Sequence, residues 1–279
     1  MGDLRNARLS IHEAWRDFRW VEYRPFAWVL VPELLFLLAA LRLGTPWGMA
    51  GAGWVLGSLG EPGLHYPASF LLLSSGYARF DALIFAFLGS FLIPLGIARI
   101  QAPMIETPST GSGTVGRARR AYGVTLVAYI LNFVVLLAWE FLLQVGPSRW
   151  IHSFLGGIKG DILTWLVGIL VAFAVAAVFL YVPIRAVEDG ATFGGSLGGG
   201  LGEGIRKFGA TLLLMLVFSW PALVVLALIQ IQPALVVTRF RPELMAVLLA
   251  IAAVLNTFVN YFIYSAGSRL HWLGQRGEA

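Results

Sequence analysis

Six long apolar runs divide this 279-residue chain, and they constrain its fold more than any other feature. A helix needs about 20 apolar residues to cross the hydrocarbon core of a bilayer. We place the runs at about residues 26–43, 80–99, 122–144, 162–184, 209–231 and 243–265. Backbone groups in lipid must be satisfied within the segment, so helices are expected. The sequence predicts an all-α, polytopic integral membrane protein with about six transmembrane helices and one membrane domain over 1–279.

The composition supports this class and excludes others. Charged residues make up only 13% of the chain and hydrophobic residues 58%, whereas soluble domains carry about 25% charged residues. The net charge of +5 comes from residues scattered through short connections between apolar runs, so no nucleic-acid-binding surface is expected. The chain has no cysteine, which rules out disulfides, thiolate metal ligands and a thiol nucleophile.

The distribution of basic residues predicts the topology. Arginine and lysine concentrate in the N-terminal arm, in the connections after the second and fourth spans, and at the C-terminus. Short cytoplasmic loops are enriched in these residues, so both termini are expected in the cytoplasm. The first apolar run starts near Phe26 and carries Pro32 and Glu33. No cleavage site follows it closely, so the N-terminus is expected to stay attached.

The N-terminal arm is expected to form an amphipathic helix in the membrane interface. One helical face would hold Leu9, Trp15, Phe18 and Val21, with Arg16 and Arg19 off that face, near anionic headgroups. Ser10 followed by Glu13 fits a capping box that starts a helix, and Pro25 would turn the chain into the membrane. The arm is either a topology anchor or a docking helix.

Two other segments are ambiguous in the sequence. Residues 105–123 are rich in Pro, Ser, Thr and Gly, which indicates a linker, and Arg117, Arg119 and Arg120 within it would attract anionic lipid. Residues 64–78 are apolar but too short to cross a bilayer. We expect them to form a re-entrant or an interfacial piece.

A glycine-rich stretch lies before the fifth span. It lacks the Lys-Ser or Lys-Thr that would follow the glycines of a phosphate-binding loop. Its regular members, Gly190, Gly194, Gly198 and Gly202, recur every four residues, a spacing that lets membrane helices approach closely. We favour an interfacial helix packed through these glycines over a flexible linker. Larger side chains at Gly194, Gly198 and Gly202 should then be poorly tolerated, whereas Gly200 would point away.

Part of this region resembles a loose group of bacterial six-span membrane proteins. The matching pieces are Tyr181–Ile184, the Glu188-Asp189-Gly190 step and Leu197–Lys207. The group includes the membrane domain found beside glycerophosphodiester phosphodiesterases and related uncharacterised families. The resemblance implies a six-span protein of the bacterial cytoplasmic membrane. It implies no reaction, because the activity of that group is largely undefined and this chain contains no phosphodiesterase domain.

Polar residues inside the apolar runs are the candidate functional residues, because they are costly in lipid. They are Glu33, Asn132, Glu140, Asn256 and Asn260. Glu33 either is neutralised within the bundle or takes part in transport. Asn256 and Asn260 lie one turn apart, and they either form interhelical hydrogen bonds or have a functional role. Asp81 lies at the mouth of the second span.

Two functions fit these features. The absence of any catalytic motif, and of any expected cofactor or metal, favours a non-catalytic integral subunit or scaffold of a larger membrane complex. Its partners would be other membrane-protein subunits or further copies of the chain, besides the lipid itself. The alternative is a permease-like or lipid-handling transporter that uses the intramembrane polar residues. The four histidines lie on different segments, so no metal site is expected.

Overall fold

The computed structural model describes residues 2–44, 69–104, 111–188, 191–231 and 243–277, and these ranges contain helices and no strand. The α-helices, numbered α1 to α11 in chain order, are Gly2–Arg16, Trp20–Gly44, Ser69–Ile84, Ser90–Gln101, Gly111–Val145, Pro147–Leu155, Gly157–Phe179, Tyr181–Ala186, Phe193–Arg206, Phe208–Ile231 and Leu244–Gly277. A π-helical turn, Phe85–Gly89, joins α3 to α4.

Six stretches of helix within the described residues are long and apolar enough to cross a membrane. They are Trp20–Arg42, Tyr77–Met104, Gly113–Leu143, Lys159–Ala186, Phe208–Ile229 and Leu244–Gln275. The all-α, multi-pass class and the number of spans are confirmed. The expectation of a separate re-entrant or interfacial piece at 64–78 is wrong for its described part, because α3 runs from Ser69 directly into the second span.

The N-terminal arm is helical, but its helix differs from the expected one. Helix α1 already begins at Gly2, so Ser10 lies inside it and is not an N-cap. The break falls at residues 17–19, and Pro25 lies within α2 instead of marking the turn. Ala7, Ser10 and Ala14 form the buried face of α1, whereas Leu9 and Trp15 are exposed. The interfacial position of α1 stays a prediction.

The stretch at 105–123 is not a linker over its described part. Helix α5 begins at Gly111 and continues without interruption to Val145, while residues 105–110 lie outside the described residues. The three arginines of this stretch therefore lie on the first turns of a long helix. Thr114, Ala118 and Ala121 are buried on one side of α5. This burial explains why the stretch is helical, because helices in proteins are stabilised mainly by packing one face.

Contacts between Cα atoms group the chain into two compact units, and the expectation of one membrane domain stays a prediction. The second unit comprises residues 30–84 and 221–256. Its core joins α2, α3, α10 and α11 through Leu37, Tyr77, Ile229, Met245 and Leu249. Phe36 stacks on Phe80 with ring centroids 4.4 Å apart.

The first unit comprises residues 1–29, 85–220 and 257–279. Aromatic side chains pack where its N-terminal part meets α11. Tyr23 stacks on Phe258 with ring centroids 4.6 Å apart, and the ring centroids of Trp15 and Phe262 are 4.2 Å apart. Gly96 of α4 accommodates the buried ring of Phe26, because a Cβ at this position would overlap that ring. This close approach requires glycine at position 96.

A hairpin within the first unit exposes apolar side chains along most of its length. It consists of residues 130–170, from the end of α5 through α6 to the start of α7, and we call it the distal hairpin. The turn between α6 and α7 places Gly156 at φ 60° and Gly157 at φ 46°, a conformation that favours glycine. The hairpin's exposed large residues are Ile130, Leu131, Phe133, Val134, Val135, Leu137, Phe141, Leu142, Val145, Trp150, Phe154, Leu155, Ile162, Leu163, Leu166 and Leu170.

The glycine-rich stretch forms helix α9, as predicted, but a different face packs. The side chain of Thr192 caps the helix by accepting a hydrogen bond from the amide of Gly195 at 3.2 Å. Gly200 and Gly204 meet the backbone of Val182 and Val178. Ser196, one turn before Gly200, is buried on the same face.

The expectation that Gly194, Gly198 and Gly202 touch another helix of this chain is therefore wrong. A Cβ at any of the three would meet no atom of the described chain within 4 Å. Gly190 lies outside the described residues. The two glycine stripes are offset by two residues, about 200° around a helix with 3.6 residues per turn, so only one of them can face α7 and α8.

Candidate functional site

Two buried polar clusters are the candidate sites, one in each unit. In the second unit, Glu33 lies deep in α2 with 2% of its surface exposed. The hydroxyl of Tyr77 on α3 donates a hydrogen bond to Glu33 Oε2 at 2.8 Å. Asp81, one turn further along α3, lies close enough to Glu33 for the two carboxyl groups to interact electrostatically. We call Glu33 and Asp81 the carboxyl pair, and Tyr77 is the tyrosine of that pair.

Repulsion between the two carboxyl groups favours a proton on one of them, because two like charges this close in a low-dielectric environment repel strongly. A direct hydrogen bond between the two groups would also need a proton, because ionised carboxylates can only accept hydrogen bonds. Among the described residues, Asp81 Oδ1 is buried without a hydrogen-bond partner. The arrangement therefore favours one proton shared between Glu33 and Asp81.

The second cluster lies in the first unit and contains four charged or titratable side chains. Lys207 Nζ donates to Glu203 Oε1 at 2.6 Å, and both side chains are almost completely buried. His271 of α11 places Nδ1 2.8 Å from both oxygens of Glu203 and Nε2 2.5 Å from Glu188 Oε1. We call Glu188, Glu203, Lys207 and His271 the tetrad.

The charge state of the tetrad follows from its geometry when both carboxyl groups are ionised. Each ring nitrogen of His271 faces a carboxyl oxygen, and an ionised carboxylate offers no proton. With Glu188 and Glu203 ionised, both nitrogens must donate, which makes His271 an imidazolium. Burial would raise the pKa of Glu203, but hydrogen bonds from His271 and Lys207 outweigh burial and lower that pKa to about 2. Two positive and two negative groups then make the cluster neutral.

Further groups complete the surroundings of the tetrad. Lys207 Nζ also donates to the carbonyl of Leu270 at 3.0 Å and lies 5.5 Å above the ring of Tyr181. The Tyr181 hydroxyl is 3.1 Å from Thr211 Oγ1. The side-chain amide nitrogen of Gln275 lies 3.0 Å from His271 Nε2, and an imidazolium requires the amide in the flipped orientation, with its oxygen toward that nitrogen. The contacts of Glu203 and Lys207 with Leu270 and His271 connect the C-terminal end of α9 to the last turns of α11.

The polar residues predicted on the third span lie on the distal hairpin. Asn132 is partly buried, and its Oδ1 has no hydrogen-bond partner among the described residues. Glu140 is exposed on α5, where Leu137 and Phe141 are also exposed, at 54% and 66%. Neither residue belongs to the carboxyl pair or to the tetrad.

The two asparagines of the sixth span lie in different units. Asn256 is partly buried in the second unit. In the first unit, Asn260 lines a small cavity together with Thr257, Phe26, Phe85 and Ile93. The cavity borders the π-helical turn, and π-helical turns are frequent at functional sites.

The predicted headgroup-binding arginines differ in their surroundings. Arg16 is exposed and pairs with Asp17 at 3.0 Å, and this hydrogen bond lowers the pKa of Asp17. Arg19 is largely exposed and lies 3.9 Å from Glu22. Arg119 and Arg120 are exposed and Arg117 is partly buried. Their binding to anionic headgroups stays a prediction.

Sequence reasoning identified Glu33 but missed the tetrad entirely. His271 is separated from Glu203 by 68 residues and from Glu188 by 83, so no local pattern connects them. The four-residue spacing of Glu203 and Lys207 is the only signal in the sequence, because residues at i and i+4 share a helical face. Among the described residues, no group of three or more His, Cys, Asp or Glu could hold a metal ion.

Comparisons with known proteins add no relative. No protein-family model matches the chain, and neither the curated proteins nor the solved structures contain a match. The resemblance to the bacterial six-span group therefore stays an expectation that rests on residues 181–218.

Proposed function

We propose that the protein is a non-catalytic integral subunit of a larger membrane complex and that the distal hairpin is its assembly surface. Exposed apolar residues alone do not support this, since lipid covers them equally well. The supporting observation is Glu140, a carboxyl exposed between Leu137 and Phe141 within a segment able to span the membrane. A charge that faces lipid costs several kcal/mol, whereas a partner helix can supply hydrogen bonds to it.

Asn132, two turns before Glu140 on the same helix, is only partly buried. Interhelical hydrogen bonds from such residues contribute about 0.6–2 kcal/mol each in membranes. A partner that covers this side of α5 could hydrogen-bond to the exposed part of Asn132 and shield the Glu140 carboxyl from lipid. The partner is either a further copy of this chain or another membrane protein.

A photo-crosslinking amino acid at Phe141 tests the assembly. We expect ultraviolet irradiation in native membranes to give one discrete protein adduct of defined mass. The same probe at Phe87, which is also an exposed aromatic residue, serves as the control and should give lipid adducts only. Lipid adducts alone at both positions would contradict the proposal.

A matched pair of variants makes the test specific to the carboxyl group. Glu140→Leu should abolish the Phe141 adduct, because it removes the polar contact that lipid cannot replace. Val135→Leu changes an exposed residue of the same helix without changing polarity, and it should leave the adduct in place. An adduct that survives Glu140→Leu would assign the contact to apolar packing and not to the carboxyl.

A second candidate function is proton-linked transport through the second unit. The carboxyl pair and its tyrosine favour it, because intramembrane carboxyls that share a proton are typical of proton pathways. In this case Glu33 and Asp81 would carry the proton and Tyr77 would orient Glu33.

We further propose that both termini lie in the cytoplasm and that the membrane is the bacterial inner membrane. The excess of basic residues in the arm, in the connections after the second and fourth spans, and at the C-terminus supports this orientation. Ser112→Cys should resist an impermeant thiol reagent in intact cells, whereas Ser58→Cys should react. The chain has no native cysteine to interfere. The reverse labelling pattern would invert the topology.

A further inference from the structure

We propose that the tetrad is a proton-dependent latch that holds helix α9 against the end of α11 and releases it as the pH rises. This inference is independent of the assembly surface, because the tetrad and the distal hairpin share no residue. It rests on three observations: the bonding of both His271 nitrogens, the near-complete burial of Glu203 and Lys207, and the two glycines that seat α9.

Charge balance makes His271 the controlling group. With an imidazolium, Glu188 and Glu203 are balanced by Lys207 and His271. A neutral imidazole has one N–H and can donate to only one carboxylate. Loss of the proton would therefore leave one carboxylate without its His271 donor and the largely buried cluster with one uncompensated negative charge, which is unfavourable in a low-dielectric interior.

Proton exchange with solvent is feasible through one member of the tetrad. The side chains of Glu203 and His271 are 4% and 2% exposed, whereas that of Glu188 is 24% exposed. Glu188 bonds directly to His271 Nε2. Water can therefore reach the cluster on the Glu188 side while the Lys207 side stays closed.

The other groups around His271 do not replace its proton. Tyr181 on α8 has its ring 6.4 Å from the imidazole, and Gln275 on α11 contributes a neutral amide. Arg269, two residues earlier on α11, is bonded to Glu13 at 3.2 Å and to Asp17 at 3.1 Å. On α9, Lys207 is already held by Glu203 and the carbonyl of Leu270.

The latch has a mechanical consequence for α9. Seven of the residues from 194 to 204 are glycine, so the helix has low intrinsic stability, with a cost of about 1 kcal/mol for each glycine relative to alanine. Its position depends on packing through Ser196, Gly200 and Gly204 and on the tetrad at its C-terminal end. Release of the tetrad should therefore expose the face that Ser196 occupies.

Cysteine accessibility in the full-length protein tests this. Ser196→Cys places a near-isosteric thiol on the packed face, where Ser196 is 3% exposed, and Gly198→Cys places one on the open face of the same helix. The ratio of their maleimide reaction rates removes the effect of pH on thiol reactivity. We expect the 196-to-198 ratio to rise about tenfold between about pH 6 and pH 9, equivalent to about 1.4 kcal/mol of opening free energy. A ratio independent of pH would overturn the proposal.

Two variants identify the titrating group. Glu188→Gln removes one carboxylate that stabilises the imidazolium, so the opening transition should move to lower pH. This side chain is partly exposed, so the variant should fold. His271→Gln should give a ratio that is high and independent of pH. An unchanged midpoint in Glu188→Gln would overturn the proposal even if His271→Gln failed to fold.

Discussion

Replacing Gly204 by alanine is expected to lower the thermal stability of the detergent-solubilised protein, and replacing Gly198 by alanine is expected to raise it. The added Cβ at 204 would overlap the backbone carbonyl of Val178, and at Gly200 it would lie 2.6 Å from the Cα of Val182. Backbone atoms cannot move away as a side chain can, so α9 must separate from α7 and α8. Overpacking of this kind costs about 1–3 kcal/mol.

Alanine substitutions on the open face of α9 are expected to change the thermal stability in the opposite direction. Alanine at Gly194, Gly198 or Gly202 meets no atom of the described residues within 4 Å, and alanine is favoured over glycine in a helix by about 1 kcal/mol. Thermal unfolding of the five single alanine variants should therefore separate the two faces of α9. The variants at Gly200 and Gly204 should unfold at lower temperatures than the parent protein, and the other three at higher temperatures. Equal shifts at all five positions would contradict the packing of α9.

Replacing Glu33 by glutamine, or Asp81 by asparagine, is expected to abolish proton uptake by proteoliposomes if the second unit carries protons. An imposed pH gradient with an internal pH-sensitive dye provides the measurement. The parent protein should take up protons measurably faster than empty liposomes. Each variant should fall to the rate of empty liposomes. A parent rate equal to that of empty liposomes would make the carboxyl pair structural.

Infrared spectroscopy provides an independent test of the shared proton. A protonated carboxyl has a carbonyl stretch that a carboxylate lacks, so the parent should show this band at neutral pH and the double variant Glu33→Gln, Asp81→Asn should lack it. Tyr77→Phe removes the hydroxyl bonded to Glu33 and should shift the band. Tyr129→Phe removes a hydroxyl that is bonded to Tyr264 instead, and this control should leave the band unchanged.

Long-range contacts decided what local patterns left open. The sequence indicated one packing stripe on α9, through Gly194, Gly198 and Gly202, whereas the stripe that packs is offset from it by two residues. Which stripe faces inward depends on the direction from which α7 and α8 approach, and that direction is set by contacts outside α9. For the same reason the histidines seemed isolated in the sequence, although one of them joins Glu188 and Glu203 across more than 60 residues.

The sequence by itself determined that the chain is helical and has six segments able to cross a membrane, because hydropathy and the need to satisfy the backbone in lipid act within single segments. It also favoured a helix over a linker for the glycine-rich stretch and singled out Glu33 within the first apolar run. Only the tertiary structure decided the partners of Glu33, the packed face of α9, the helix break at residues 17–19 and the existence of the tetrad. These features depend on side chains from distant segments that meet in space, and no periodicity in a single segment records which segments meet.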